Sequence, residues 1–353
     1  MESLPLHPSK GGGTIAKAQR TAEQNPEGIT CGNSLTAGEN TLPISPSLGG
    51  GWGEAFIIDA HSHLWLRQDT VVDGQAIRTL ENGRSLFFGE ERQMLPPFLI
   101  DGRNTAEVFL ANMNYAQVSA AVVVQEVIDG NQNDYLQRVM TQYPSRFVCL
   151  GMPDFGRPVA GQVEELQGRG FRGVALPAHR MKDRLDGKEW LPFFRQLEER
   201  GMLLSICLAD DAEQIAQMGR VIKACPTLKV AIGHFGMVTG DHWMEQIALA
   251  EAENVYVESG GITWLFNAEF WPYPSAVEAI REAADRVGME KLMWGSDYPR
   301  TITAITYRMS YDFVVRSERL TDAEKRLFLG ENALRFYGIK DPIALPYIKN
   351  MSE

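Results

Sequence analysis

Short apolar runs alternate with longer amphipathic segments along the chain from residue 54 onward. The runs carry apolar residues at consecutive positions, which is typical of β-strands that are buried on both faces. The strand candidates are residues 55–63, 119–126, 146–153, 171–177, 202–208, 229–235, 254–260 and 291–297. The intervening segments, such as "DAEQIAQMGRVIKAC", have helical periodicity, and several of them end at a glycine, as helices often do.

This repeated alternation of strand and helix predicts an α/β fold, a (β/α)8 TIM barrel in which parallel strands are enclosed by an outer ring of helices. An open, doubly wound sheet is the alternative. We expect the barrel to span residues 54–340 and residues 341–353 to form a C-terminal tail. Residues 1–53 are rich in Gly, Ser, Pro and Asn, which predicts a low-complexity arm or linker, or an extended segment over the domain or a neighbouring subunit.

The composition is that of a soluble globular protein, with 44% hydrophobic and 22% charged residues in a chain of 353. The formal net charge of −11 argues against nucleic acid or an anionic membrane as a partner, because both require a basic face. Residues 1–53 contain no apolar stretch of the kind found in signal peptides or membrane spans. The four cysteines show no Cys-x-x-Cys spacing, which favours a reducing, cytoplasmic setting.

Histidines concentrate at the predicted ends of strands. His61 and His63, in "FIIDAHSHLW", are separated by one residue, so in a regular strand they project from the same face. His179, His234 and Asp297 also fall at strand ends. Because the loops at the C-terminal ends of barrel strands converge on one face, these side chains are predicted to form a single site.

Three motifs, "DAHSHLW", "AIGHFG" and "MWGSDYPR", occur in an order that resembles the second amidohydrolase family, the metal-dependent hydrolases of TIM-barrel fold. The resemblance covers about residues 54–340 and is greatest to the branch that contains 2-pyrone-4,6-dicarboxylate lactonase and the sugar-acid lactonases. It implies that the family's first-strand pair is His61 and His63, its sixth-strand histidine His234 and its eighth-strand aspartate Asp297. The segment "LTDAEKRLFLGENALRFYGI" resembles the family's closing helices, which implies additional C-terminal helices.

Two departures from the family pattern concern metal. The fifth strand, "SICLADD", has Cys207 where many metal-binding members have a histidine, and the fourth, "GVALPAHR", lacks the lysine that bridges two metals in binuclear members. The resemblance therefore implies at most one divalent ion, with zinc preferred, held by His61, His63 and Asp297. A site without metal is the alternative, since some members of the lactonase branch work without one.

Residues next to these strand ends are candidates for contact with a substrate. Arginine can bind a carboxylate through two parallel hydrogen bonds, and an aromatic wall suits a ring-shaped compound. The candidates are His179, Arg180, Arg67, Arg300, Trp65, Trp264, Trp271 and Tyr298. The aromatic residues after the seventh strand have a structural alternative, which is packing against a loop or a subunit. The insertion from Leu66 to Asn104 is long enough to form a lid.

The sequence is therefore interpreted as that of a hydrolase acting on a lactone, or on a related cyclic ester or amide, of a small organic acid. Asp297 is expected to take a proton from water, while His61, His63 and His234 polarise the carbonyl directly or through a metal. One alternative is a mononuclear-metal decarboxylase of aromatic or muconate-like acids, which the missing fifth-strand histidine disfavours. Another is a non-catalytic binding protein on a decayed barrel. The expected partner is a small carboxylate or cyclic compound, and a homo-oligomer is left open.

Overall fold

The computed structural model describes residues 56–346 and Met351. The predicted arm of residues 1–53 and most of the predicted tail of residues 341–353 lie outside this part. Within residues 56–346 the strands are β1 (Ile57–Ser62), β2 (Asp69–Val72), β3 (Gln75–Thr79), β4 (Arg84–Phe87), β5 (Glu90–Gln93), β6 (Val118–Val123), β7 (Phe147–Cys149), β8 (Gly173–Leu176), β9 (Leu203–Ile206), β10 (Val230–Ile232), β11 (Val255–Glu258) and β12 (Leu292–Met293).

The α-helices lie mostly between these strands. In the described part of the chain they are α1 (Ala106–Tyr115), α2 (Asn133–Gln142), α3 (Gln162–Gly168), α4 (Trp190–Glu199), α5 (Ala212–Ala224), α6 (Trp243–Ala248), α7 (Ile262–Leu265), α8 (Pro274–Val287), α9 (Met309–Arg316), α10 (Asp322–Arg326) and α11 (Asn332–Tyr337). The last three follow β12, as expected for additional C-terminal helices. No helix of residues 56–346 is both long and apolar enough to cross a membrane.

Eight parallel strands form two sheets, which confirms the predicted α/β class. One sheet has the order β1-β6-β7 and the other β12-β11-β10-β9-β8, with every pair parallel. Hydrogen bonds cross both junctions between the sheets: Ala175 N donates to Gly151 O at 2.8 Å, and Ala60 N donates to Trp294 O at 2.8 Å. Neighbours follow chain order throughout, without the reversal of strand order that marks a doubly wound sheet.

Two apolar clusters separate the interior of the strand assembly from its exterior. The larger one packs the outer faces of the strands against the helices. The smaller one contains inward side chains such as Ile58, Ala60 and Met293, together with Phe336 and Tyr337 of α11. The C-terminal helix therefore contributes aromatic side chains to the strand interior, and the polar site lies at the C-terminal ends of the strands.

Strand β1 contains an irregularity that bears on the histidines. Asp59 pairs with Ala121 and Ser62 with Val123, so three steps along β1 correspond to two steps along β6. Such an extra residue is a β-bulge, which interrupts the alternation of faces. Because Ala60 points into the inner cluster, regular alternation would direct His61 towards the helices. The bulge allows His61 to face the interior as well.

The predicted lid, Leu66 to Asn104, contains an antiparallel sheet of order β2-β3-β4-β5, which was not expected from the sequence. Two of its hairpins turn through two residues with positive φ, Asp73-Gly74 and Phe88-Gly89, as type I′ turns require. Val72 and Ile77 form an apolar cluster with Ile128, which lies in the loop after β6. The insertion is thus a folded sheet anchored to a neighbouring loop.

Candidate active site

A cavity of about 400 Å³ opens at the C-terminal ends of the parallel strands. Eight of the twelve residues predicted to bind metal or substrate or to take part in catalysis line it: His61, His63, His179, Arg180, His234, Trp264, Asp297 and Arg300. Much of the remaining lining is apolar, including Val124, Ile128, Leu176, Leu208 and Met237. The cavity thus combines a polar cluster with mainly apolar walls, as small-molecule sites usually do.

His61, His63 and Asp297 form a compact group of donor atoms. The Nε2 atoms of the two histidines are 3.2 Å apart, and Oδ1 of Asp297 lies 2.9 Å from Nε2 of His63 and 3.8 Å from Nε2 of His61. All three side chains are buried. The bulge in β1 turns His61 towards the interior, His63 follows the end of that strand, and the loop after β12 supplies the aspartate.

Glu258, at the end of β11, orients His61. Its Oε1 lies 2.7 Å from Nδ1 of His61, and its Oε2 accepts a hydrogen bond from Gly260 N at 2.6 Å. Burial raises the pKa of the Glu258 carboxyl to about 7 and lowers the pKa of His61 to about 4. With the Nδ1–H directed at Glu258, the lone pair of a neutral His61 lies on Nε2, the atom that faces His63 and Asp297.

Asp297 is held as an anion. Burial alone would raise the pKa of its carboxyl, but the hydrogen bond from His63 and the charge of Arg300 keep that pKa well below its ordinary value. Its second oxygen, Oδ2, accepts a hydrogen bond from the indole Nε1 of Trp264 at 2.8 Å. Asp297 and His234 both have left-handed backbones, with φ of 57° and 52°, a strained conformation that is found preferentially at functional sites.

His234 borders the same group, with its ring centroid 4.6 Å from that of His61. Its Nδ1 is 2.8 Å from the carbonyl oxygen of Gly260, to which a protonated Nδ1 donates. Burial lowers the pKa of His234, so the ring is neutral at neutral pH and its Nε2 is a proton acceptor. This differs from the expectation that His234 donates a hydrogen bond to a carbonyl, because its donor atom is already used by Gly260.

Two positions that contact this cluster have space only for glycine. A Cβ atom on Gly295 would lie 2.6 Å from Cβ of His61, and one on Gly260 would lie 2.7 Å from Cγ of the same histidine. Both positions would also meet Oε2 of Glu258 within 2.9 Å. Any larger residue would therefore displace the pair formed by His61 and Glu258.

The residues fit one divalent metal ion. Zinc bonds of about 2.0–2.1 Å in a tetrahedral site place ligand atoms about 3.3 Å apart, close to the separations among His61, His63 and Asp297. Two imidazoles and one carboxylate leave a position for water or substrate. Nδ1 of His63 is buried and has no hydrogen bond to any described residue; it lies 3.5 Å from Oδ2 of Asp129, where a carboxylate commonly supports a metal-binding histidine. Cys207 lines the cavity, but burial raises the pKa of its thiol well above the ordinary value, which disfavours a thiolate ligand.

The two arginines of the cavity are each paired with a carboxylate. Nε of Arg180 donates to Oε1 of Glu126 at 2.9 Å, and Nε2 of His179 lies 3.3 Å from Oε2 of the same residue. Nη2 of Arg300 donates to Oδ1 of Asp129 at 2.7 Å. Both guanidinium groups therefore lie at the cavity wall, each with a charged partner.

Four predicted substrate contacts do not line the cavity. Trp65 is fully buried and donates from Nε1 to Gly102 O at 3.1 Å, with the guanidinium of Arg300 over its ring. Tyr298 stacks on Phe109 in the core, with ring centroids 3.9 Å apart. Trp271 packs against the outer core, and Arg67 is exposed. In each case proximity in sequence to a strand end did not orient the side chain towards the cavity.

Two buried acids near the site were missed in the sequence. Asp129 follows β6 and is paired with Arg300. Its position just after a predicted strand could have identified it as a candidate site residue. Asp59 accepts hydrogen bonds from Ser296 N at 2.9 Å and from the Tyr307 hydroxyl at 2.7 Å. Burial raises the pKa of Asp59 to about 7. It joins β1 to the segment that carries Asp297, and nothing in its local sequence indicates that role.

The chain belongs to the amidohydrolase family, because the profile of that family matches residues 58–339. Members of this family have the TIM-barrel fold and typically bind a divalent metal, and the chain is accordingly an enzyme of this family. The expected family is thus confirmed. The sequence matches no curated protein.

Solved structures share the fold. A probable 2-pyrone-4,6-dicarboxylic acid hydrolase from Acinetobacter baumannii, with citric acid bound, is 19% identical with a TM-score of 0.61, over 80% of this chain and 99% of that one. An amidohydrolase from Burkholderia multivorans with bound zinc is 18% identical, with a TM-score of 0.61; the match covers 81% of this chain and 100% of that one. A 5-carboxyvanillate decarboxylase from Sphingomonas paucimobilis is 17% identical, with a TM-score of 0.55; the match covers 81% of this chain and 100% of that one.

Proposed function

We propose that this protein is a mononuclear metal-dependent hydrolase that opens a lactone or a related cyclic ester or amide. The observation that carries the proposal is the convergence of His61, His63 and Asp297 to within 4.8 Å of one another in a cavity with apolar walls. We further propose that residues 54–340 form a closed (β/α)8 barrel, since hydrogen bonds cross both junctions between the parallel sheets. Zinc is the proposed ion, because two imidazoles and a carboxylate suit it.

In the proposed reaction, the ion supplies Lewis acidity to the carbonyl oxygen when it is bound. Asp297 takes a proton from the attacking water, and Trp264 fixes the carboxylate through the hydrogen bond to Oδ2. Nε2 of His234 accepts the other hydrogen of that water and orients it, since Nδ1 is committed to Gly260. The proton then passes from Asp297 to the leaving oxygen or nitrogen, which completes ring opening.

Decarboxylation of an aromatic acid is the alternative. The fold is shared with the 5-carboxyvanillate decarboxylase, and the apolar walls would suit an aromatic ring. The fifth-strand position argues against decarboxylation, because the neutral thiol of Cys207 takes the place of a metal-binding histidine there. The hydrolase is therefore preferred.

One experiment separates these functions. The protein, loaded with zinc, is offered a panel of lactones and of hydroxybenzoic acids while acid release and CO₂ release are recorded in parallel. Acid release from lactones that stops on chelation and returns with zinc is the expected result. CO₂ release without lactone opening would replace the hydrolase by a decarboxylase, and turnover that survives complete removal of metal would contradict the metal-dependent mechanism.

A further inference from the structure

The charges of the cavity are balanced by the protein itself. Glu126 and Asp129 are largely buried, with side chains 12% and 3% exposed, and they hold the guanidinium groups of Arg180 and Arg300 at 2.9 and 2.7 Å. His179 approaches the second oxygen of Glu126, at 3.3 Å. Both oxygens of Glu126 therefore face cationic or hydrogen-donating groups of the chain.

A paired guanidinium is a poor receptor for another carboxylate. Two-pronged recognition needs two free N–H groups in one plane, and part of that edge is already used in each arginine. Displacing Glu126 or Asp129 would leave a buried carboxylate without its partner, which is costly. Asp210 and Asp297 also line the cavity, which adds two carboxylates to its wall.

A metal ion does not reverse this balance. A divalent ion would bring two positive charges to His61, His63 and Asp297, where Asp297 is itself a carboxylate ligand and the carboxylate of Glu258 lies behind the ring of His61. Much of the remaining lining is apolar, with Ile128, Leu208 and Met237 among its residues. Among the described residues that line the cavity, an additional carboxylate on a substrate would thus meet no arginine without a carboxylate partner.

We propose that Glu126 and Asp129 determine specificity by neutralising Arg180 and Arg300, so that the cavity selects uncharged cyclic substrates and discriminates against carboxylates. This differs from the expectation, taken from the sequence, that Arg180 and Arg300 bind a substrate carboxylate. It rests on the proposed function in one respect, namely that this cavity is the substrate site. The substrate class it names is a neutral, mainly apolar lactone or lactam.

The test uses a matched series of rings that resist hydrolysis: 2-pyridone, 2-pyridone-5-carboxylate and 2-pyridone-4,6-dicarboxylate. Binding to the wild-type protein is measured by isothermal titration calorimetry, in the metal-free and the zinc-loaded forms. We expect each added carboxylate to weaken binding by about tenfold or more in both forms, because a buried charge without a partner is disfavoured. Equal or tighter binding of either carboxylate, or no detectable binding of 2-pyridone, overturns the proposal.

Glu126→Gln tests the residue directly, because it removes the charge that neutralises Arg180 while keeping a side chain of similar size. The affinity for 2-pyridone-5-carboxylate relative to 2-pyridone should rise about tenfold, the effect of one charge-assisted hydrogen bond. The matched control is Glu251→Gln, which makes the same change next to Arg286 on the surface and should leave the ratio unchanged. An unchanged ratio in a folded Glu126→Gln protein overturns the role of Glu126. If the variant does not fold, the wild-type series decides.

These measurements do not depend on turnover. Preference for 2-pyridone in a protein that opens no lactone would refute the proposed function and leave the specificity intact. Lactone opening by a protein that prefers the dicarboxylate would support the proposed function and refute the proposed specificity.

Discussion

Nδ1 of His61 lies 2.7 Å from Oε1 of Glu258, although the two residues are 197 positions apart and belong to strands β1 and β11. The contact fixes which nitrogen of His61 carries the hydrogen. It therefore determines which nitrogen is available to a metal, and it links the first and seventh parallel strands through the centre of the site.

Glu258→Gln should lower the affinity for zinc by about 10- to 100-fold, because a carboxylate behind a metal-binding histidine raises the basicity of the ring and fixes its orientation. Competition with a chromogenic chelator measures the affinity. Glu245→Gln is the matched control, since it removes a carboxylate from the partly exposed His242 instead. Wild-type affinity in Glu258→Gln would mean that this contact does not support a metal site.

Asp297→Asn should reduce turnover by about 100-fold or more, because the amide cannot accept the proton of water and is a weaker ligand. Steady-state rates with the lactone identified in the panel measure the loss, and circular dichroism checks the fold. A folded variant with near-normal turnover would exclude Asp297 as the base.

Trp264→Phe should lower kcat about tenfold, with little change in KM, because the ring remains in the wall while the hydrogen bond to Oδ2 of Asp297 is lost. Trp294→Phe is a comparison variant, since it removes a similar indole hydrogen bond to Ser310 O away from the cavity. Loss of kcat in both variants alike would indicate a general effect on folding.

Metal analysis should give no more than one equivalent of divalent ion per chain, with zinc the preferred metal. In the described part of the chain His61, His63 and Asp297 form the one group of three clustered metal-binding side chains. Elemental analysis after gentle purification provides the measurement. Two equivalents that persist through gel filtration would contradict the single site.

Tyr298→Ala should lower the free energy of unfolding by about 3–5 kcal/mol, because the ring is buried against Phe109 and its removal leaves a cavity. Chemical denaturation measures the loss. A stable variant with a raised KM would instead restore Tyr298 to the substrate contacts predicted from sequence.

Periodicity and order of motifs were enough to predict the α/β class and the amidohydrolase family. Each of the eight apolar runs overlaps one of the parallel strands, and His61, His63, His234 and Asp297 could be located because polar residues at the ends of buried strands are conspicuous in a sequence. The inserted sheet was missed, although "VVDGQAI" and "LENGRSLFF" contain the Asp-Gly and Asn-Gly pairs that indicate tight hairpins.

Local sequence patterns specify where the strands lie and which polar residues follow them, because burial on both faces requires a run of apolar residues. The direction in which those polar side chains point depends on the assembled fold. The bulge in β1 turns His61 inward, the stacking of Tyr298 on Phe109 removes that ring from the cavity, and Glu258 reaches His61 across the interior. The pairing of Arg180 with Glu126 and of Arg300 with Asp129 was equally hidden, since these partners come from different loops. Local patterns specify burial, whereas partners distant in sequence meet only when the parallel strands are assembled.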